Sequence, residues 1–250
     1  MKNKIILITG ASSGIGWSTA KLLSSEGHKL ILCGRNKKKL TELSNELSSK
    51  NHILTFDVKN KSDVFSSISS LPIEFKKIDV LINNAGNAHG LDFAHKADIL
   101  DWEEMIDSNV KGVLYVTKEI LNNMVERKSG QIINVGSIAG KESYPKGNVY
   151  CASKAAVDKF TEGLRLDLNP FGIRVSAIHP GLVETNFSNV RFKGNKERAK
   201  KIYEGFKPLS PKDVAYCISY MINTPQHVNI ADCTILPTDQ AGAYVLNKSN

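Results

Sequence analysis

Thr9-Gly10-Ala11-Ser12-Ser13-Gly14-Ile15-Gly16 follows the apolar run Ile5-Ile6-Leu7-Ile8 and leads into a helical pattern. Glycines between a strand and a helix permit a tight turn and let backbone N–H groups approach a pyrophosphate, which also meets the positive end of the helix. The spacing, G-x-x-x-G-x-G, differs from the commoner G-x-G-x-x-G fingerprint, so the placement between strand and helix carries the reading. The plain alternative is that these glycines serve only helix–strand packing. The turn predicts Gly10, Ser12, Ser13, Gly14, Ile15 and Gly16 as cofactor-binding residues.

Outward from this turn, short apolar runs alternate with helical patterns. Strands are expected at 4–9, 29–33, 52–56, 79–82, 131–135, 174–178 and 233–236, with long helices at 101–123 and 148–168. Runs rich in Ile and Leu suit strands covered on both faces, and the alternation implies right-handed βαβ units. The expected fold is α/β: one Rossmann-type, doubly wound domain over 1–250, with a mostly parallel seven-stranded sheet flanked by helices. Residues 1–135 would form its cofactor half and 136–250 its catalytic and substrate half. The stretch after His179-Pro180-Gly181, through the basic residues Arg191–Arg198, reads as the longest irregular region and as a cover for an active site.

Composition excludes several classes. The chain has 250 residues, 41% hydrophobic and 23% charged, as in ordinary soluble globular proteins. Cys33, Cys151, Cys217 and Cys233 are scattered, with no C-x-x-C pair and no companion histidines at ligand spacing. That pattern points to reduced thiols in the cytoplasm and to no metal site. The first apolar run is too short for a signal peptide, and no stretch approaches the ~18 residues of a membrane span. The net charge of +8 comes from dispersed lysines, without a nucleic-acid-binding signature. Solvated helix faces explain most of it, although a positive field also draws in a phosphate-rich cofactor or an anionic substrate.

The second strand ends in Gly34-Arg35-Asn36. A carboxylate here would hold a ribose 2′-OH, whereas a guanidinium suits a 2′-phosphate. Arg35 is therefore expected to anchor NADP(H), with Lys37–Lys39 as another source of charge. Asp57-Val58 closes the third strand, where a carboxylate and the next amide can meet an adenine edge. Asn84-Ala85-Gly86 closes the fourth, where small residues admit an adenosine ribose. Each of these could equally be turn chemistry.

Tyr150 and Lys154 are four residues apart on a predicted helix and so share a face. A nearby ammonium should lower the phenol pKa from about 10 toward the range of acid–base work. Ser137 ends the fifth strand, and Asn109 lies in the long helix before it. Together with Thr9–Gly16, Asn83–Gly86 and Pro180-Gly181, these four make the chain resemble a short-chain dehydrogenase/reductase over nearly its whole length. The resemblance implies that Tyr150 exchanges a proton with the substrate oxygen while Lys154 tunes Tyr150 and holds the nicotinamide ribose. It implies that Ser137 hydrogen-bonds the developing alkoxide and that Asn109 holds a water for proton supply. It also implies cofactor contacts from Pro180, Gly181, Val183 and Thr185.

A narrower likeness lies in Gly181–Phe187, Val190–Gly194, His227–Ile230, Ser137–Gly140 and Gly147–Tyr150. These stretches resemble the NADP-dependent 3-hydroxy acid dehydrogenases, which act on L-serine, L-allo-threonine or 3-hydroxypropionate and are usually homotetramers. The tail, Leu236–Gly242, lacks the Gly-Gly usual in 3-ketoacyl reductases. A small hydroxy acid needs a cation for its carboxylate. Arg191 is the first candidate substrate-binding residue beside Ser137 and Tyr150, with Lys193 and Lys146 after it. His179 is expected to be structural. A broad carbonyl reductase, a 3-ketoacyl reductase, a non-catalytic NADPH-binding regulator and a nucleic-acid-binding protein are the competing readings; partners are otherwise expected to be small molecules, without membrane or nucleic acid.

Overall fold

The computed structural model describes residues 3–248. Its seven strands are β1 (Ile5–Thr9), β2 (Lys29–Gly34), β3 (Asn51–Thr55), β4 (Val80–Asn83), β5 (Gly130–Val135), β6 (Ile173–Pro180) and β7 (Asp232–Ile235). They form one sheet in the order β3-β2-β1-β4-β5-β6-β7, and every pairing is parallel. Each of the seven expected strands is present, with ends within two residues of those read from the sequence.

Side-chain alternation along the strands builds two cores. Ile6, Ile8, Leu30, Leu32, Val80 and Ile82 point to one face. There they meet Leu23 of α1 (Gly14–Ser25), Leu40 of α2 (Lys37–Glu46) and Ile218 of α9 (Pro211–Asn223). Leu7, Ile31, Leu81 and Ile132 point to the other. They meet Val64 of α3 (Lys61–Ser69), Ile120 of α5 (Gly112–Glu126) and Leu164 of α6 (Asn148–Leu168). Both faces are covered, so the strands read as continuous apolar runs.

The helix expected over 101–123 divides. It comprises α4 (Ile99–Ile106), one π-helical turn at Asp107–Lys111, and α5. The wider turn shifts the phase of the pattern while Ser108 and Asn109 both stay buried, which a fixed period of 3.6 does not register. The region read as irregular after Gly181 contains α7 (Phe187–Arg191) and α8 (Lys196–Lys201), each too short to show a period. Helix α9 starts on a capping box: Ser210 pairs reciprocally with Asp213, and Pro211 opens the first turn.

Successive strands run β1-β2-β3 to one side and then cross back, so that β4 lies on the other side of β1. The crevice at this reversal, beyond the carboxyl ends of the strands, is where open α/β sheets take ligands. Among the described residues no helix is long and apolar enough to cross a membrane.

Candidate active site

A cleft of ≈ 580 Å³ occupies this crevice. Its wall includes Gly10, Ser12, Ser13, Gly14 and Ile15 from the first turn and Arg35, Asp57 and Val58 beyond β2 and β3. It continues through Asn84, Ala85 and Gly86 after β4 and Ser137 after β5 to Tyr150 and Lys154 on α6. Pro180, Gly181, Val183, Thr185 and Arg191 close the far side. Two residues expected in the site, Gly16 and Asn109, do not line it.

Gly10 (φ 66°) and Gly14 (φ 55°) adopt left-handed conformations, which bend the chain from β1 into α1. Ser13 stands at the N-cap of α1 without making a side-chain cap bond, leaving the first helical amides open to the cleft. Asn84 donates from Nδ2 to the carbonyls of Thr9 (2.9 Å) and Gly10 (3.2 Å), and Thr9 Oγ1 accepts from the amides of Asn84 and Ala85 at 3.0 Å. The two strand ends are thereby fastened together. Gly16 acts inside this knot: a Cβ there would stand 2.6 Å from Asn84 Nδ2. It allows the close packing that shapes the turn.

At one end of the cleft, Arg35 is largely exposed, with its guanidinium 3.6 Å from Asp57 Oδ2. Ser12 and Asn36 flank it on the wall. Lys59, which sequence reasoning passed over, also lines this end and bridges Asp57 (3.7 Å) and Glu104 (2.7 Å). Lys39, by contrast, is paired with Glu42 at 2.6 Å on the outer face of α2. An open amide cradle with an exposed guanidinium at its rim, 3.6 Å from Asp57, fits a dinucleotide that carries a 2′-phosphate.

At the other end Tyr150 and Lys154 are both buried, 8% and 6% exposed. Lys154 Nζ donates to the Val135 carbonyl at 3.0 Å. Burial pushes the Tyr150 phenol upward, aided by Tyr144, while the Ser137 hydroxyl and Arg191 pull it back. Burial likewise lowers the Lys154 ammonium to about 8. The helix spacing suggested a phenol made more acidic by Lys154. Desolvation reverses that direction here, because the phenol and the ammonium both lie in the interior. The cation over the Tyr150 ring is instead Arg191, 5.2 Å from its centroid.

Arg191 is held in place by two partners. One guanidinium nitrogen donates to the Tyr144 hydroxyl at 2.5 Å, and Nε donates to the Gly90 carbonyl at 3.3 Å. Phe187 meets the Tyr150 ring edge-on at 5.7 Å. The other two candidate cations are engaged elsewhere: Lys193 pairs with Asp101 at 2.9 Å, and Lys146 lies 4.7 Å over the Phe93 ring.

Asn109 spends its side chain on structure. Its Oδ1 accepts from the Asn87 amide (2.8 Å), and its Nδ2 donates to the Asn87 carbonyl (2.8 Å) and Ser153 Oγ (3.0 Å). It locks the turn after β4 to α6. Tyr144 and Gln240 were missed. Tyr144 stands between Ser137 and Tyr150 in the chain, a position that could have flagged it. Gln240 accepts from the Leu182 amide at 2.8 Å and pins the far wall, a contact across 58 residues with no local signal.

An anion cradle at one end of a cleft and a buried phenol–ammonium pair at the other are what a dinucleotide-dependent oxidoreductase requires. A family model described as short chain dehydrogenase matches residues 4–196, and the chain belongs to that family. It is 45% identical over 240 residues to the NADP-dependent 3-hydroxy acid dehydrogenase YdfG of Escherichia coli (strain K12), covering 96% of this chain and 97% of that one. It is 41% identical over 246 residues to the serine 3-dehydrogenase of Rhizobium radiobacter, covering 98% of each. Its backbone superposes on the closed form of a serine dehydrogenase complexed with NADP+ with a TM-score of 0.94 at 44% identity, covering 98% and 99% of the two chains. The resemblance read from the sequence motifs is borne out.

Proposed function

We propose that the protein is an NADP(H)-dependent dehydrogenase that interconverts a small 3-hydroxy acid with its 3-oxo acid or semialdehyde. The observation that carries this reading is the Arg191 guanidinium, fixed by Tyr144 and lying 5.2 Å over the Tyr150 ring. A carboxylate held by Arg191 would bring an oxygen two carbons away to the phenol. The names and coverage of the relatives support the same substrate class.

The amides of the first turn and of Ile15 would hold the pyrophosphate, with Ser12 and Arg35 at the 2′-phosphate. Asp57 and Val58 would meet the adenine and Asn84–Gly86 the adenosine ribose. Pro180, Gly181, Val183, Thr185 and Lys154 would hold the nicotinamide end. The nicotinamide, when bound, supplies the hydride chemistry. Tyr150 gives its hydroxyl proton to the substrate oxygen in reduction and takes one in oxidation. Its burial keeps the phenol protonated at neutral pH, the form that reduction needs. Ser137 Oγ donates a hydrogen bond to the same oxygen as charge builds on it. Asn109 holds the turn beneath Lys154 in register. Phe187, edge-on to the Tyr150 ring, would border the reacting atoms.

We further propose one domain, cofactor half first, working in the cytoplasm as a homotetramer. Exposed Leu114 on α5, Leu166 on α6, and Tyr216 and Tyr220 on α9 favour such an assembly. A panel of NADP+ and NAD+ against 3-hydroxypropionate, the serine and threonine stereoisomers and neutral alcohols tests the reading. Preference for neutral alcohols would favour a broad carbonyl reductase instead.

A further inference from the structure

His179 is fully buried at the carboxyl end of β6, directly before the cleft-lining Pro180 and Gly181. Its Nε2 lies 3.1 Å from Asp232 Oδ2 on β7 and 3.4 Å from Asp158 Oδ1 on α6. Lys141, from the turn after Ser137, places Nζ 2.6 Å from Asp232 Oδ2 and 3.3 Å from Asp158 Oδ2. On the opposite side of the ring, Nδ1 is 3.4 Å from the Ser137 carbonyl oxygen. A Cβ on Gly136 would stand 2.6 Å from Nδ1 and 2.9 Å from Cε1, so the ring fills the space beneath the Gly136–Ser137 turn. Asp158 follows Lys154 by four residues, as Lys154 follows Tyr150, so all three share one face of α6. One buried ring therefore adjoins the turn that carries Ser137 after β5, the helix of the acid–base pair and the wall of the cleft.

We propose that His179 is a positioning residue for Ser137: anchored through Nε2 on Asp158 and Asp232, its ring sets the Gly136–Ser137 turn and, when doubly protonated, donates from Nδ1 to the Ser137 carbonyl. This rests on the assignment of Ser137 as donor to the substrate oxygen. The ring faces only acceptors, a carbonyl on one side and carboxylates on the other. An imidazolium satisfies both sides, a neutral ring only one. Protonation also balances the cluster, setting Lys141 and His179 against two carboxylates. Burial, more than any other cause, lowers the ring's hold on its second proton, and Lys141 adds to this; Asp232 and Asp158 oppose it. The Nδ1 contact is thus gained as the pH falls and lost as it rises through the ring's titration, while the Nε2 anchor persists.

The experiment compares the full-length protein with His179→Leu, His179→Gln and the Asp158→Asn/Asp232→Asn double variant. In folded His179→Leu, kcat is expected to fall about tenfold or more, with the KM for NADP+ unchanged within about twofold. His179→Gln, which keeps a donor, should recover part of the loss. Without its two carboxylates the ring binds its proton less tightly. The double variant should therefore move the fall in kcat that accompanies loss of the ring's second proton to lower pH by about half a pH unit or more, a step absent from His179→Leu. A folded His179→Leu with wild-type kcat and profile overturns the proposal, as does a loss shared equally by kcat and NADP+ affinity. Should the leucine variant not fold, Asp232→Asn alone decides, since an unmoved profile overturns the proposal. Full activity in Ser137→Ala would instead remove the assignment of Ser137, so the two failures are distinguishable.

Discussion

Arg191 stacks over Tyr150, its guanidinium carbon 5.2 Å from the ring centroid, and reaches past it to the hydroxyl of Tyr144. The guanidinium and the phenol thus occupy one small volume, although they lie on different elements, α7 and α6. Under the proposed function, the distance between them would set substrate length.

Arg191→Ala should therefore act on acids selectively. A charge-assisted hydrogen bond contributes about 1.5–3 kcal/mol, which corresponds to a rise in KM of about tenfold to a hundredfold for 3-hydroxypropionate or serine. A neutral alcohol of similar size should change little. Steady-state kinetics on the pair checks this, and equal effects on both would remove Arg191 from the recognition of the acid.

Arg35→Asp places a carboxylate where the 2′-phosphate is expected. The KM for NADPH should rise by at least about a hundredfold while that for NADH changes little, because repulsion replaces a charge-assisted contact. Parallel titrations with the two cofactors decide the point. Equal changes would move the phosphate site toward Lys59 or the α2 lysines.

Lys154 makes a prediction about stability. Its ammonium is lowered by burial to about 8, whereas the unfolded chain keeps the ordinary value of 10.5. Between these values the unfolded state binds more protons, so stability rises with pH. The destabilising contribution is fully present below about 8 and disappears as the pH approaches 10.5. Denaturant unfolding of wild type and Lys154→Met across pH 7–10.5 should show the wild type gaining on the variant. A constant gap would contradict the burial argument.

The parts of this molecule legible in its sequence are those set by local rules. Alternation in Ile6-Leu7-Ile8 and Leu30-Ile31-Leu32 announces strands with two covered faces, and Thr9–Gly16 announces the turn that receives a nucleotide. The spacing of Tyr150 and Lys154 put both side chains on the cleft wall, but it could not show that both would be buried, which reverses the shift expected of the phenol. The π turn around Asn109 escaped notice because a reading at a fixed period of 3.6 does not register a local shift of phase. Contacts such as Tyr144–Arg191 or His179–Asp232 join residues 47 and 53 positions apart and exist only once the sheet has ordered its loops.

The most direct test of the account removes a single oxygen atom. Tyr150→Phe keeps the ring, its edge contact with Phe187 and its place beneath Arg191, and loses only the proton carrier. With a 3-hydroxy acid and NADP+, kcat should fall by about a hundredfold to ten-thousandfold, the usual contribution of general acid–base catalysis. NADPH affinity, read by fluorescence titration, should stay within about twofold of wild type. Near-normal turnover in that variant would contradict the account.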